Sequence, residues 1–258
     1  MSAEQPVQQA KHAIILAAGV GRRLGLDTAG GEPRPKVLLD LAGRSLLYRH
    51  LSLLEQCGIE SVTIVVGYGA EQIRSALTTS GTGLTVTTLE NPDFREGSVV
   101  SLWAARNVLR CLQPILLMDA DVLYDRRLLA RLLQSTHGDC LLLDRNIEAG
   151  DEPVKLCVRS GRIVDFRKVP TEPYDWHGES VGFFRFTPMS GCELADRAGS
   201  YVASGRRSEE YEEPIRDMIR ASDPNRFGFE DISSLPWTEI DFPDDVIKAR
   251  ALLPQLAA

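Results

Sequence analysis

The feature that most constrains this chain is a short apolar run, His12 to Ala17, that leads directly into Ala18-Gly19-Val20-Gly21-Arg22-Arg23-Leu24-Gly25. Such a run reads as a buried parallel strand. The small residues after it let backbone N–H groups approach a ligand with no Cβ in the way. The alternation then continues. Arg44 to Cys57 has helical spacing, with Leu46, Leu47, Leu51 and Leu54 on one side and Gly58 as a stop. Ser61 to Val66, Leu84 to Leu89 and Pro114 to Met118 read as strands, with helices at Ala70 to Thr78 and Val99 to Leu112 between them. This β-α-β-α order predicts an α/β fold with a parallel sheet and right-handed crossovers.

The character changes after Asp121. Arg126 to Gln134 is helical, but Cys140 to Asp144, Val154 to Arg159, Arg162 to Arg167 and Val181 to Phe186 read as strands, with Ser160-Gly161 as a hairpin turn. Mixed or antiparallel pairing is expected here, in a small lobe over the first half's site. Helices follow at Met189 to Gly199 and Ser208 to Ala221, then a strand at Thr238 to Ile240 and a helix from Asp244.

Composition narrows the partners. Lys and Arg total 29 against 36 Asp and Glu, a net charge of −7 with no basic run, which argues against nucleic-acid binding. Five scattered cysteines with no C-x-x-C pair suit a reduced, cytoplasmic setting. The early apolar run is far short of the roughly 20 residues that span a bilayer, so no membrane association is expected.

Two cations follow the glycine loop where phosphate charge would need neutralising: Arg23, and Lys36 in Pro33-Arg34-Pro35-Lys36. A dinucleotide fingerprint would place its third glycine at Leu24, and an NAD-binding half would carry an acid at the end of a second strand, roughly 20 residues on. Neither is present, nor is a Gly-Lys-Ser/Thr phosphate loop. Asp119-Ala120-Asp121 follows an apolar strand, so both carboxylates emerge where open α/β sheets bind ligands. Hard oxygen ligands suit magnesium; a helix cap is the competing role for either aspartate.

The run Ile14 to Gly25, with Pro35-Lys36-Val37-Leu38 and Leu41-Ala42-Gly43-Arg44-Ser45-Leu46-Leu47, resembles the signature of nucleotidyltransferases that activate sugar phosphates and phospho-alcohols. Asp119-Ala120-Asp121, Val181-Gly182-Phe183-Phe184 and Glu239-Ile240-Asp241 extend the likeness over nearly the whole chain. The resemblance implies a Rossmann-like, mostly parallel mixed sheet flanked by helices, of the nucleotide-diphospho-sugar transferase type. A disordered tail over residues 1–10 is expected at the chain's start, then one domain with a nucleotide-binding half, 11–125, and an acceptor-binding half, 126–258. Leu16, Ala17, Ala18, Gly19, Gly21 and Arg22 would hold the nucleotide, with Asp119 beside them and Arg23 and Lys36 on the phosphates. Asp121 would hold Mg2+. A second ligand is implied at Tyr211-Glu212-Glu213, where Glu213 aligns slightly better, or at Asp241, for which a structural contact beneath the site is the competing role.

Asn91-Pro92 and Glu96-Gly97-Ser98 resemble the segment that phospho-alcohol cytidylyltransferases place around CTP, so Asn91, Gly97 and Ser98 join the nucleotide set; Ser98 could equally cap a helix. Arg145 and Lys155 resemble an acceptor-phosphate grip, although solvated strand-edge charge is the plainer role for both. Tyr174, Trp176 and Glu179 could present π faces and a counter-charge to an amine-bearing acceptor, or simply pack on the adjoining lobe. The reading is a cytidylyltransferase that joins CMP from CTP to a phosphocholine-like, aminoethylphosphonate-like or inositol phosphate acceptor and releases pyrophosphate. A phosphate ionised at neutral pH needs no nucleophilic side chain. A sugar-1-phosphate transferase using UTP, GTP or dTTP, and a non-catalytic nucleotide sensor, stand as alternatives. A homodimer is compatible with all three.

Overall fold

The computed structural model describes residues 9–24, 34–147 and 152–256. The strands are β1 (His12–Ala17), β2 (Asp40–Leu41), β3 (Arg44–Ser45), β4 (Ser61–Val66), β5 (Thr85–Glu90), β6 (Ile115–Asp119), β7 (Val122–Tyr124), β8 (Asp139–Asp144), β9 (Lys155–Arg159), β10 (Arg162–Arg167), β11 (Trp176–Phe186), β12 (Phe227–Asp231) and β13 (Trp237–Glu239). The α-helices are α1 (Leu46–Gln56), α2 (Ala70–Thr78), α3 (Val99–Ala104), α4 (Arg106–Leu109), α5 (Arg126–Gln134), α6 (Pro188–Ala203), α7 (Glu212–Ala221) and α8 (Pro243–Leu252).

The main sheet runs β10-β9-β11-β6-β1-β4-β5, with β8 on β11 and β12 on β8. Pairing is parallel from β6 through β1 and β4 to β5, and antiparallel where β11 meets β6, β8 and β9. The sheet is buried on both faces because side chains alternate along its strands. Ala13, Ile15 and Ala17 pack into one core with Leu47, Leu51 and Leu54 of α1 and Leu128 of α5. Ile14 faces the other core, with Leu102 of α3, Leu194 of α6 and Ile215 of α7.

Local chemistry sets the element ends. Ser45 caps α1 by accepting from the Tyr48 N–H at 3.2 Å. Asp125 caps α5, accepting from the Arg127 N–H at 2.8 Å, so the capping role falls on neither Asp119 nor Asp121. Ser160 and Gly161 both take positive φ, as the tight hairpin between β9 and β10 requires.

Several boundaries differ from the sequence expectation. The helix expected over Val99 to Leu112 is broken at Ala105 into α3 and α4. The segment expected as a loop at Tyr174 to Glu179 is mostly strand: β11 starts at Trp176, drawn into register by β9. Helix α7 begins at Glu212 rather than Ser208, and β12, unforeseen, forms because it finds a parallel partner in β8. The expected tail over 1–10 falls largely outside the described residues. Among those described, no helix is long and apolar enough to cross a membrane.

Candidate active site

Because β1 lies between β4 and β6 in one parallel set, their C-terminal ends open together, and a cleft of about 570 Å³ lies there. Leu16, Ala17, Ala18, Gly19 and Gly21 line it. Gly21 has φ +64°, and a Cβ on it would stand 2.7 Å from Lys36 Cγ, so the bare glycine is what lets the lysine stem cross the loop. The Arg22 side chain and the stretch from Gly25 to Pro33 lie outside the described residues.

Three carboxylates converge on the cleft. Asp121, Glu239 and Asp241 each offer an oxygen within 4.8 Å of the others. The Asp121 carbonyl accepts from the Ile240 N–H at 3.0 Å, which locks the end of β6 to the segment after β13. The donors are all hard oxygens, the chemistry a divalent cation such as magnesium prefers. Lys36 Nζ lies 3.0 Å from Asp121 and also donates to Asp241, while Arg23 reaches Asp241 at 3.1 Å and Glu152 at 3.2 Å. Burial works against the lysine's charge, but Asp121 and then Asp241 outweigh it and hold its ammonium above the ordinary range. Enclosure by the cleft walls, then the charges of Asp121 and Asp241, push the Glu239 carboxyl up to about 8, although solvent still reaches it through the mouth.

Asp119 sits deeper. Tyr211 donates its hydroxyl to Asp119 at 2.6 Å, and the Tyr211 N–H donates to Ser98 Oγ at 2.8 Å, so Ser98 anchors the start of α7 instead of capping α3. Burial, then the charges of Asp121 and Glu212, raise the Asp119 carboxyl well above its usual value, against the pull of the Tyr211 hydrogen bond. Gly182, at φ +73°, lies between the stretches of β11 that pair with β9 and with β6. A Cβ there would fall 2.0 Å from Asp119 Oδ2.

Not every expected residue reaches the cleft. Gly97, Ser98 and Glu179 line it, but Asn91 is buried beneath, donating to Ser101 Oγ at 3.0 Å and accepting from the Asp93 N–H. Arg145 lies over the Trp176 ring at 4.7 Å, and that ring meets Phe229 edge-on at 5.6 Å, so both are committed to packing beside β12. Tyr174 packs edge-on against His177. Lys155 donates to the Lys168 carbonyl at 2.9 Å, and of these two lysines it is Lys168 that lines the cleft. Glu213 does not stand with Asp121 and Asp241; it pairs with Arg167 at 3.1 Å and is absent from the trio and from the cleft lining.

Three contributors were missed: Glu239, Tyr211 and His50. Glu239 stands two residues before Asp241 on extended backbone, where alternate residues share a face, and that spacing was the readable signal. Glu212, the alternative to Glu213 as second metal ligand, lines the cleft but stands outside the trio, and its Oε2 is buried without a hydrogen-bond partner. Tyr211 and His50 had no local signal. His50 Nε2 is 3.0 Å from the Ala120 carbonyl, between the two aspartates, a contact between residues seventy positions apart.

The profile of the MobA-like NTP transferase domain matches residues 13–170, the stretch that holds the glycine loop, Lys36 and Asp121. The chain belongs to this family of nucleotidyltransferases. Members generally use a divalent metal. A CMP-5'-(3-aminopropyl)phosphonate synthase of Streptomyces rubellomurinus is 26% identical to this NTP transferase chain over 245 residues, 90% of the chain and 37% of the relative. A bifunctional IPC transferase and DIPP synthase of Aquifex aeolicus is 28% identical over 248 residues, 95% of the chain and 52% of the relative. The chain thus spans about half or less of the length of these relatives. The inositol-1-phosphate CTP transferase from T. maritima superposes with a TM-score of 0.76 at 20% identity, covering 97% of this chain and 99% of that one. The mixed, mostly parallel fold is therefore shared.

Proposed function

We propose that this NTP transferase domain is a magnesium-dependent cytidylyltransferase that moves CMP from CTP onto a small phosphonate or phospho-alcohol. One observation carries the reading: the glycine loop, Lys36 and the Asp121–Glu239–Asp241 trio meet in a single cleft. Cytidine is favoured by the Streptomyces relative, whose product is a CMP-phosphonate.

In the reaction, the loop backbone after β1 holds the nucleotide, and Lys36 and Arg23 move from their carboxylate partners onto the triphosphate. Ion pairs as open as those of Arg23 and Glu152 contribute little and rearrange readily. An acceptor phosphate or phosphonate oxygen donates a lone pair to the α-phosphorus. The bond from that phosphorus to the β-phosphate bridge breaks, and pyrophosphate leaves with the electron pair. A divalent ion held by Asp121, Glu239 and Asp241 would supply charge neutralisation at the phosphates.

The far wall of the cleft favours an acceptor with a cationic amine. Eleven carboxylates line the described cleft against four cations, Arg23, Lys36, Lys168 and Lys248. Among the acids, Glu212 is pushed up to about 8 by burial and then by Glu210. An ammonium group there would give Glu212 Oε2 its missing partner, which the hydroxyls of a neutral polyol would do without the charge.

Incubation with magnesium, each of CTP, UTP, GTP, ATP and dTTP, and a panel of aminoalkylphosphonates, phosphocholine, inositol phosphate and hexose-1-phosphates, read as pyrophosphate release, tests this. Release with CTP and an amine-bearing acceptor, lost in Asp121→Ala, is expected. Release only with a hexose-1-phosphate moves the domain to the sugar branch, and none with any pair favours a nucleotide sensor.

A further inference from the structure

A second, smaller trough of about 80 Å³ lies between α1 and β7 and shares no lining residue with the catalytic cleft. Its polar walls come from Arg44, Arg49, Ser52, Gln56 and Tyr124. Among its described lining residues there is no carboxylate, in a chain of net charge −7 whose other cleft is crowded with them. Two donors here have no hydrogen-bond partner: Arg49 Nε and the hydroxyl of Tyr124, a residue only 2% exposed. A buried unpaired donor costs about 1–3 kcal/mol, so something must satisfy both in solution.

The charge balance points the same way. Arg49 spends one guanidinium nitrogen on the Leu41 carbonyl at 2.6 Å and feels the charge of Arg44, whose guanidinium lies over the Tyr48 ring at 5.2 Å. Burial, then the like charge of Arg44, weakens its hold on its proton, with only Asp40 opposing. Water could satisfy the Tyr124 hydroxyl but would leave the repulsion between the two guanidinium charges uncancelled. A tetrahedral anion accepts from several donors at once and cancels that repulsion. The space, equal to about two or three waters, admits one such anion and no nucleotide.

We propose that this trough binds one small oxyanion of the phosphate class through Arg49, Arg44 and the Tyr124 hydroxyl. The site lies directly behind the catalytic strands, since β7 starts one residue after Asp121 and pairs with β13, which carries Glu239.

Calorimetric titration of the full chain with inorganic phosphate, pyrophosphate and glycerol phosphate tests this, using a Lys36→Met background to weaken phosphate binding in the catalytic cleft. One phosphate site is expected to persist in Lys36→Met and to weaken about tenfold or more in Arg49→Gln and in Tyr124→Phe. Arg44→Gln, at an exposed position, gives the same readout should Arg49→Gln fold poorly. Tighter binding of inorganic phosphate than of glycerol phosphate identifies a free anion as the occupant, and equal binding identifies a phosphate ester; both support the site. Binding that disappears in Lys36→Met but survives Arg49→Gln and Tyr124→Phe, or no binding of any of the three probes, overturns it.

Discussion

The ammonium of Lys36 lies 3.0 Å from the Asp121 carboxylate and also donates to Asp241, so the lysine and a divalent ion draw on the same oxygens. A metal arriving alone must displace this ammonium or tolerate a like charge a few ångströms away, whereas one arriving with a triphosphate brings the lysine a new partner. Metal without nucleotide is therefore expected to bind weakly. Lys36→Met should tighten Mn2+ binding about tenfold in a nucleotide-free titration while abolishing turnover. A loss of Mn2+ affinity in that variant would show that the lysine supports the metal instead of competing with it.

Gly182 is the second position where the site depends on a missing side chain. Alanine there would place its Cβ 2.0 Å from Asp119 Oδ2 at a φ of +73°. Gly182→Ala should lower stability by about 2–3 kcal/mol and displace Asp119 from Tyr211, read as a lower urea midpoint and reduced turnover. An unchanged midpoint would mean that β11 relaxes freely at its bulge.

His50 couples the site to acid. Burial pushes its imidazole down to about 4 from an ordinary value of 6.5, against weaker opposing effects from the Ala120 carbonyl and Asp121. The neutral ring donates from Nε2 to that carbonyl, leaving the buried Nδ1 without a partner. Because the folded value is depressed, the unfolded chain takes up the proton first. Stability is therefore full above pH 6.5 and falls as the pH drops toward 4, by about 3 kcal/mol from this residue. Urea unfolding at pH 7.5, 5.5 and 4.5 should show this slope, and His50→Gln should flatten it.

Glu212 and Trp176 separate two ways of holding an amine. Glu212→Gln should raise KM for an amine-bearing acceptor by about tenfold and leave that for CTP nearly unchanged. Trp176→Ala removes packing on Phe229 and Arg145, outside the cleft lining, so it should cost about 2 kcal/mol of stability with little effect on acceptor KM. The reverse pattern would place the acceptor beside the aromatic ring.

The difference between Asp241 and Glu213 shows how far local reading reaches. Both are acids near the start of a helix, and both were candidates for the metal. Asp241 is carried to Asp121 because β13 pairs with β7, whose register is set 117 residues away at Glu239 and Val122 with no local mark. Glu213 is one helical step, about 100°, from Glu212, and that step turns it toward Arg167.

By itself the sequence determined whatever depends on neighbours along the chain: the apolar β1 strand, the glycine loop, the stop of α1 at Gly58, and the aspartates at the end of β6. Their periodicities and φ requirements are local properties. Only the tertiary structure decided which distant groups complete the site. Lys36 meets Asp121 and Asp241, Tyr211 meets Asp119, and His50 meets Ala120 across gaps of 70 to 205 residues. Such contacts are set by the packing of helices on a shared sheet, and packing is a property of shape summed over the whole core.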